Sequence, residues 1–185
     1  MSHFKDVMID LETLGQGPGC IVLSIGAVAF NPEKKELGPE FYQVFNINNQ
    51  WDLNLHKDTD TLKWWEDQTD EAGEVLEQAK NGGEMLRDGL LRFNGWLSQF
   101  DSTSTCVWGN GADFDNAILQ YLYRRINMPV PWKFWNNRCF RTLSGEFKDL
   151  YPKPFRKGAY HNALDDARFQ ASWANDILHG VFHGR

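Results

Sequence analysis

The chain has 185 residues, of which 42% are hydrophobic and 14% aromatic, so it can bury a sizeable core, and its composition argues against disorder. Its formal net charge of −6 argues against a general nucleic-acid coating protein. No apolar run is long enough to span a bilayer, and the first residues lack a secretory signal pattern. Three widely spaced cysteines predict reduced thiols and no zinc site.

Three strands are predicted in succession at the start of the chain. They are residues 7–12, an apolar and β-branched run at 20–30, and an alternating segment at 41–47. The turn-like segment NPEKKELGPE connects the last two. Three successive strands with such a connection predict an antiparallel meander.

Helices alternate with shorter strands in the rest of the chain. A fourth strand is predicted at 105–110, and a short one near RCFRTL within an otherwise irregular segment at 127–160. Amphipathic spacing and capping residues predict helices at 61–68, 83–100, 114–126 and 162–178. Strands that come first, followed by alternating helices and strands, indicate a mixed α/β sheet.

The first predicted strand, within VMIDLETLG, carries two carboxylates among apolar residues. Because side chains alternate along a strand, Asp10 and Glu12 point to the same face. An ionised carboxylate is costly in a dry interior unless its charge is compensated. The pair belongs either to a solvated edge strand or to a charged site, and its apolar neighbours favour the site.

Two later segments, GNGADFDNAIL and HNALDDARFQA, each offer two acids for the same face of the sheet. At about 100° per residue, Asp115 lies roughly 70° from the centre of its apolar helix face and Asp113 roughly 130°. Asp166 lies nearer the edge of the buried stripe of the last helix than Asp165 by about 40°. Helix phase therefore favours Asp115 and Asp166, with Asp113 as a helix N-cap.

Four carboxylates that face one point need cations, because close like charges cannot all ionise unpaired. Oxygen ligands favour Mg²⁺ or Mn²⁺ over zinc, and two such cations suit in-line attack on a phosphodiester. His161, five residues before Asp166, is a candidate to take a proton from water. The weaker candidates, which lie in a terminus, a polar loop or a frayed tail, are His3, His56, His179 and His183.

Basic residues are concentrated between residues 124 and 168. This section holds ten of the nineteen Lys and Arg and four acids, so its net charge is +6 and that of the remainder is −12. It is either a polyanion site or a solvated loop surface, and both interpretations stay open. Tryptophans can stack on bases or fill the core; for Trp64 and Trp65 both roles stay open, whereas Trp108 is expected in the core.

In order and spacing, these motifs resemble the DEDDh branch of the 3′→5′ exonucleases. The matching residues are Asp10-Leu11-Glu12-Thr13, Phe114-Asp115, and His161 followed by Asp166. The wider pattern includes TLKWWEDQ, VWGNGADFDN, KFWNNR and HNALDDAR. It is similar to the phage and prophage group of exonuclease A and exodeoxyribonuclease VIII-like proteins, from about residue 5 to residue 178.

The resemblance implies a ribonuclease H-like α/β fold in one exonuclease domain over residues 1–185. Its mixed five-stranded sheet would have the antiparallel three-strand meander first, then parallel strands, with helices on both faces. The implied activity is a metal-dependent 3′→5′ exodeoxyribonuclease that releases nucleoside 5′-monophosphates. An exoribonuclease on the same fold is the alternative, and a catalytically weak nucleic-acid-binding module is a more remote one.

The expected partners are single-stranded or 3′-ended nucleic acids, with DNA favoured over RNA, and no membrane. The expected location is the cytoplasm of a bacterium or of a phage-infected host. Oligomeric state stays open, with a homodimer as one alternative.

The resemblance also implies roles for single residues. Asp10 would bridge two divalent cations, Mg²⁺ or Mn²⁺, with Glu12 and Asp166 completing the tighter site and Asp115 holding the second metal. His161 would be the general base. The residues expected to bind substrate are Thr13 and Leu14 at the terminal nucleotide, and Trp65, Asn110, Arg138 and Arg141.

The chain departs from its phage relatives between the two arginines. Those relatives tend to carry an acid there, whereas this chain has Cys139 and Phe140. Arg138 and Arg141 would therefore either bind phosphate or pin the loop.

Overall fold

A mixed five-stranded sheet lies at the centre of the protein, in the order β3-β2-β1-β4-β5. The computed structural model describes residues 3–68, 70–158 and 160–184, and the side chains of these residues except 70–72. The strands are β1 (Asp6–Thr13), β2 (Val22–Asn31), β3 (Glu36–Val44), β4 (Cys106–Gly109) and β5 (Asn137–Cys139). The first three pair antiparallel as a meander, and β4 and β5 add parallel to β1.

Helices cover both faces of this sheet, as predicted. They are α1 (Asn48–Trp51), α2 (Thr59–Glu66), α3 (Asp70–Asn81), α4 (Leu86–Leu97), α5 (Ala117–Arg125), α6 (Phe140–Phe147) and α7 (Ala163–His183). Side chains of α3, α4 and α5 pack with the odd-numbered residues of β1 in the larger core. Those of α6 and α7 pack on the opposite face, where Met8 and Trp108 lie.

Several elements differ from the sequence prediction. Strand β3 begins at Glu36, because its first half is a polar, exposed edge strand that reads as a turn in the sequence. Helix α3 was not predicted, since few apolar residues interrupt its polar sequence. The strand predicted near RCFRTL stops at Cys139, and α6 begins where Phe140 becomes buried. Helix α7 continues to His183, so His179 lies in a helix rather than a frayed tail, and its Nδ1 contacts the Pro32 carbonyl.

In the part of the chain that the structure describes, no helix combines the length and the apolar character that crossing a membrane would require.

Candidate active site

The second half of β1 carries Asp10 and Glu12 on the face that α7 covers. Their neighbours across the antiparallel ladder are Gly26 and Ser24, which have small side chains. A Cβ atom on Gly26 would lie 2.2 Å from the backbone of Ala163, the first residue of α7. The absence of a side chain at residue 26 therefore lets the start of α7 lie directly against the sheet beside Asp10.

Helix α7 brings a third carboxylate to this place. Its N-cap, Asn162, accepts hydrogen bonds from the backbone of Leu164 and Asp165 at 3.1 and 3.2 Å, which fixes the first turn. Three carboxylate oxygens, one from each of Asp10, Glu12 and Asp166, then lie within 4.8 Å of one another. We call these three residues the carboxylate cluster. Asp165 instead accepts a hydrogen bond from Arg168 at 2.6 Å, outside the cluster.

Asp115 comes from the turn after β4 and is tied directly to β1. It lies in a π-helical turn, Ala112–Asn116, that follows Gly111 at φ 126°. The backbone N–H of Leu11 donates to Asp115 Oδ1 at 3.1 Å, and the residue is 2% exposed. Asp115 Oδ2 is buried and has no hydrogen-bond partner among the described residues. Asp113, in the same turn, is exposed to solvent.

Burial and mutual repulsion raise the pKa values of these acids. Burial and then the charges of Asp115 and Glu12 hold the pKa of Asp10 well above its usual range. Burial and the charge of Asp166 raise the pKa of Glu12 to about 8. Burial raises the pKa of Asp115 to about 7, although backbone N–H groups favour its ionised form. A site of oxygen donors that resist ionisation without a cation suits a hard divalent metal.

The carboxylate cluster opens into a cleft of about 490 Å³ between α7 and α2. The side chains that line it include Asp10, Glu12, Thr13, Gln16, Asp60, Thr61, Trp64, Trp65, Asn110, Phe114, His161, Asp166 and Gln170. His161 precedes α7 in the left-handed backbone region, at φ 62°, and its exposed ring lies 4.6 Å from that of Trp64 in an edge-on contact. The cleft therefore has carboxylates at its base and an imidazole in its wall.

Four of the six predicted substrate-binding residues lie at or beside the cleft. Thr13 lines it, although its hydroxyl donates to the Gly15 carbonyl at 2.7 Å. Trp65 is 2% exposed, and its indole N–H donates to the Thr13 carbonyl at 2.9 Å. Asn110 lines the cleft, and its carbonyl accepts from Arg141 Nη2 at 2.7 Å.

Leu14 and Arg138 do not line the cleft. The Leu14 side chain is fully buried, and its N–H and carbonyl bond the backbone of Ile21 and Asp58. Arg138 pairs in register with Trp108 on the adjacent strand and donates to the carbonyls of Trp135 and Asn137. Neither residue is therefore among those that line the cleft with the carboxylate cluster, and their predicted contacts with substrate stay predictions.

Two residues at the cluster were not found from sequence. Gln170 Nε2 donates to Asp10 Oδ1 at 2.7 Å; it follows Asp166 by four residues, so helical spacing could have revealed it. Arg156 Nη1 donates to Asp166 Oδ1 at 2.7 Å. Arg156 lies in a segment without secondary structure, where no periodic signal points to it.

Residues 5–178 match the family model described as the 3′-5′ exoribonuclease Rv2179c-like domain. The chain belongs to this family. The resemblance to the DEDDh exonucleases is thereby confirmed, and the protein is a 3′→5′ exonuclease.

One relative and two solved structures show how far the similarity extends. The exodeoxyribonuclease of Enterobacteria phage T4 is 28% identical over an alignment of 207 positions, which covers 94% of this chain and 86% of that protein. The nuclease domain of 3′hExo, a DEDDh family member bound to rAMP, has a TM-score of 0.66 at 14% identity and covers 96% of this chain and 93% of its own. Cell-death related nuclease 4 has a TM-score of 0.65 at 13% identity; the match covers 98% of this chain but 65% of that longer one. The expected ribonuclease H-like fold is confirmed by these structural matches.

Proposed function

We propose that this exonuclease is a metal-dependent exodeoxyribonuclease, formed by one domain over residues 1–185, that removes nucleoside 5′-monophosphates from a 3′ end with His161 as the general base. The observation that carries the proposal is the meeting of Asp10, Glu12 and Asp166 at the base of a cleft that His161 also lines. Carboxylates this close together repel one another, and cations bound between them would offset that repulsion.

The donor set supports two divalent cations, Mg²⁺ or Mn²⁺. The carboxylate cluster would hold one of them, and Asp10 with Asp115 the second; the buried, unbonded Oδ2 of Asp115 is free to ligate. Bound cations would neutralise the carboxylates and stabilise negative charge that develops on the phosphate and on the attacking oxygen. The hydrogen bond from Gln170 holds Asp10 Oδ1 in place and so orients this carboxylate toward its neighbours.

The remaining residues of the cleft would position the substrate and move a proton. A ring nitrogen of His161 would take the proton of the attacking water, since the ring is exposed at the cleft and an imidazole nitrogen is a common general base. Thr13 and Asn110, which line the same cleft, would contact the terminal nucleotide. Arg141 holds the Asn110 carbonyl, and Trp65 holds that of Thr13, so both would shape these contacts.

DNA is the proposed substrate because the phage T4 relative, which aligns over 94% of this chain, is an exodeoxyribonuclease. An exoribonuclease is the second candidate, favoured by the description of the matching family model and by the rAMP bound to 3′hExo. The two activities differ at the 2′-hydroxyl of the substrate, which a protein can recognise by a hydrogen bond or exclude by contact.

A time course on oligonucleotides tests this proposal. Single- and double-stranded DNA and RNA of one sequence, labelled at the 3′ or the 5′ end, are incubated with Mg²⁺, Mn²⁺ or EDTA. We expect early release of the 3′ label as a mononucleotide, a ladder of shortened 5′-labelled products, faster turnover of DNA than of RNA, and no reaction in EDTA.

Paired variants provide the control. Asp115→Asn should abolish turnover, whereas Asp113→Asn, in the same turn but exposed, should retain it. Faster turnover of RNA would move the proposal to the second candidate. Turnover in EDTA, or turnover by Asp115→Asn equal to that of the unaltered protein, would contradict the metal-dependent mechanism.

A further inference from the structure

A nearly buried arginine lies against the carboxylate cluster. Arg156 Nη1 is 2.7 Å from Asp166 Oδ1, and the two side chains are 11% and 20% exposed. The guanidinium carbon lies 4.2 Å from the centre of the Tyr160 ring and 5.5 Å from that of Phe169. An ion pair and two aromatic contacts therefore hold this one cation in place.

The charge of Arg156 reaches beyond Asp166. It favours the ionised form of Glu12, and its own protonated form is favoured by Asp166 and by Asp10. Arg156 thus interacts electrostatically with all three members of the carboxylate cluster. A guanidinium cannot lose its proton in a protein, so this positive charge can leave the cluster only if the side chain moves.

A divalent cation at the carboxylate cluster would need the same oxygens. Its charge would also repel a guanidinium held 2.7 Å from one of its ligands. We propose that Arg156 is the resident counter-cation of the metal-free site, and that it competes with the incoming metal ion for Asp166 and gives up this contact when the metal binds. This inference rests on the proposed function, because it takes the cluster to be the metal site.

The effect of removing Arg156 on metal affinity differs between a competitor of the metal and a residue that supports the metal site. If Arg156 competes with the metal, its removal makes the cluster more negative and tightens metal binding. If Arg156 instead only holds Asp166 in the geometry that the metal needs, its removal weakens metal binding. The sign of the change therefore distinguishes the two roles.

Titration calorimetry with Mn²⁺ on the full chain tests this inference, with Arg156→Gln, Arg156→Lys and the unaltered protein compared at one pH and ionic strength. We expect Arg156→Gln to bind Mn²⁺ about tenfold more tightly, the size expected for the loss of one charge-assisted competitor. The Mn²⁺ affinity of Arg156→Lys, which keeps the charge but not the planar guanidinium, should lie between those of Arg156→Gln and the unaltered protein. Circular dichroism checks that each variant is folded.

Arg168→Gln is the matched control, because Arg168 pairs with Asp165, the neighbour of Asp166, and with Glu40 away from the cluster. It should change the Mn²⁺ affinity by less than about twofold, as exposed ion pairs contribute little. A second readout is thermal stability: Arg156→Gln should lower the Tm of the metal-free protein and gain more from Mn²⁺ than the unaltered protein does.

The outcomes separate this inference from the proposed function. If the unaltered protein binds Mn²⁺ and Arg156→Gln binds it equally or more weakly, the competition is overturned while the metal site stands. Circular dichroism of Arg156→Gln equal to that of the unaltered protein excludes a folding defect as the cause of such a result. If neither the unaltered protein nor any variant binds Mn²⁺, both the inference and the proposed metal site are overturned.

Discussion

The position of the His161 ring at the cleft depends on its backbone conformation and on an aromatic neighbour. Its backbone is in the left-handed region, at φ 62°, which is uncommon for a residue with a side chain and places its ring over the cleft. Trp64 of α2, 40% exposed, contacts that ring edge-on. The imidazole is therefore held at the cleft without being buried, an arrangement that suits the proposed general base.

Replacing His161 with Asn should lower the rate of hydrolysis by roughly 10²- to 10⁴-fold, because a general base contributes about that much. Metal binding should be unchanged, since His161 is not among the oxygen donors of the cluster. The measurements are single-turnover rates on 3′-labelled DNA and Mn²⁺ titration calorimetry. His183→Asn, at the far end of α7, is the control and should retain full activity. Loss of metal affinity in His161→Asn would show a metal ligand instead of a base.

At the scale of whole elements, the site depends on how closely α7 approaches the sheet. Four of the buried residues of α7 are alanines, and a glycine lies opposite them on β2; these small residues are Ala163, Ala167, Ala171, Ala174 and Gly26. Small side chains let the helix backbone lie near β1 and β2, and Asp166 then reaches the two acids of β1. The geometry of the cluster is thus set by packing between elements.

Gly26→Ala should disrupt the site from outside the set of acids. The added Cβ would lie 2.2 Å from the backbone of Ala163, which cannot move aside as a flexible side chain could. We expect a loss of about 1–3 kcal/mol in the free energy of unfolding, typical of overpacking, and weaker Mn²⁺ binding. Urea unfolding and calorimetry measure the two. Gly95→Ala, on α4 with nothing within 4 Å of the added atom, should be neutral or stabilising. Equal effects of the two substitutions would contradict the packing argument.

The sequence predicted the elements whose side chains follow a clear pattern. Strands β1 and β2 are apolar runs, and α7 has a buried stripe, so all three were expected near their observed positions. Helix α3 is largely polar and α6 has only eight residues, and neither was predicted.

The same limit applies to the candidate site. Motif order and helix phase pointed to the acids and to His161, but Arg156 reaches Asp166 from an irregular segment that has no pattern. The burial of Leu14 follows from how the chain turns after β1, which hydropathy alone does not specify.

For the whole molecule, the buried acids of the site make the stability of the fold depend on pH. Asp10, Glu12 and Asp115 take their raised pKa values from burial, so the folded metal-free protein binds protons that the unfolded chain releases. The stability that these protons provide is present below the ordinary carboxyl pKa and is lost as pH rises through the folded values. For Glu12 that window runs from 4.5 to about 8, and for Asp115 from 3.8 to about 7.

The free energy of unfolding in EDTA should therefore fall as pH rises from about 5 to about 8, the range in which Asp115 and Glu12, with folded pKa values of about 7 and about 8, ionise in the fold. Mg²⁺ should oppose this fall, because the cation binds the ionised folded state. Urea unfolding at several pH values, with and without Mg²⁺, measures both slopes. Glu12→Gln, which removes one of these acids, should flatten the slope in EDTA. Equal slopes in EDTA and in Mg²⁺ would contradict a metal site at these residues.

The proposed role of the carboxylate cluster in metal-dependent hydrolysis can be tested with the Asp10→Ala variant. The measurement is the rate at which this variant releases mononucleotides from 3′-labelled single-stranded DNA in Mn²⁺. Asp10 lies on β1, the central strand of the sheet. Removing its carboxylate also relieves repulsion from Asp115 and Glu12. We predict a rate at least about a thousandfold below that of the unaltered protein, in the range of losses seen when a central catalytic group is removed, from a variant that stays folded. A rate within tenfold of the unaltered protein would contradict the account.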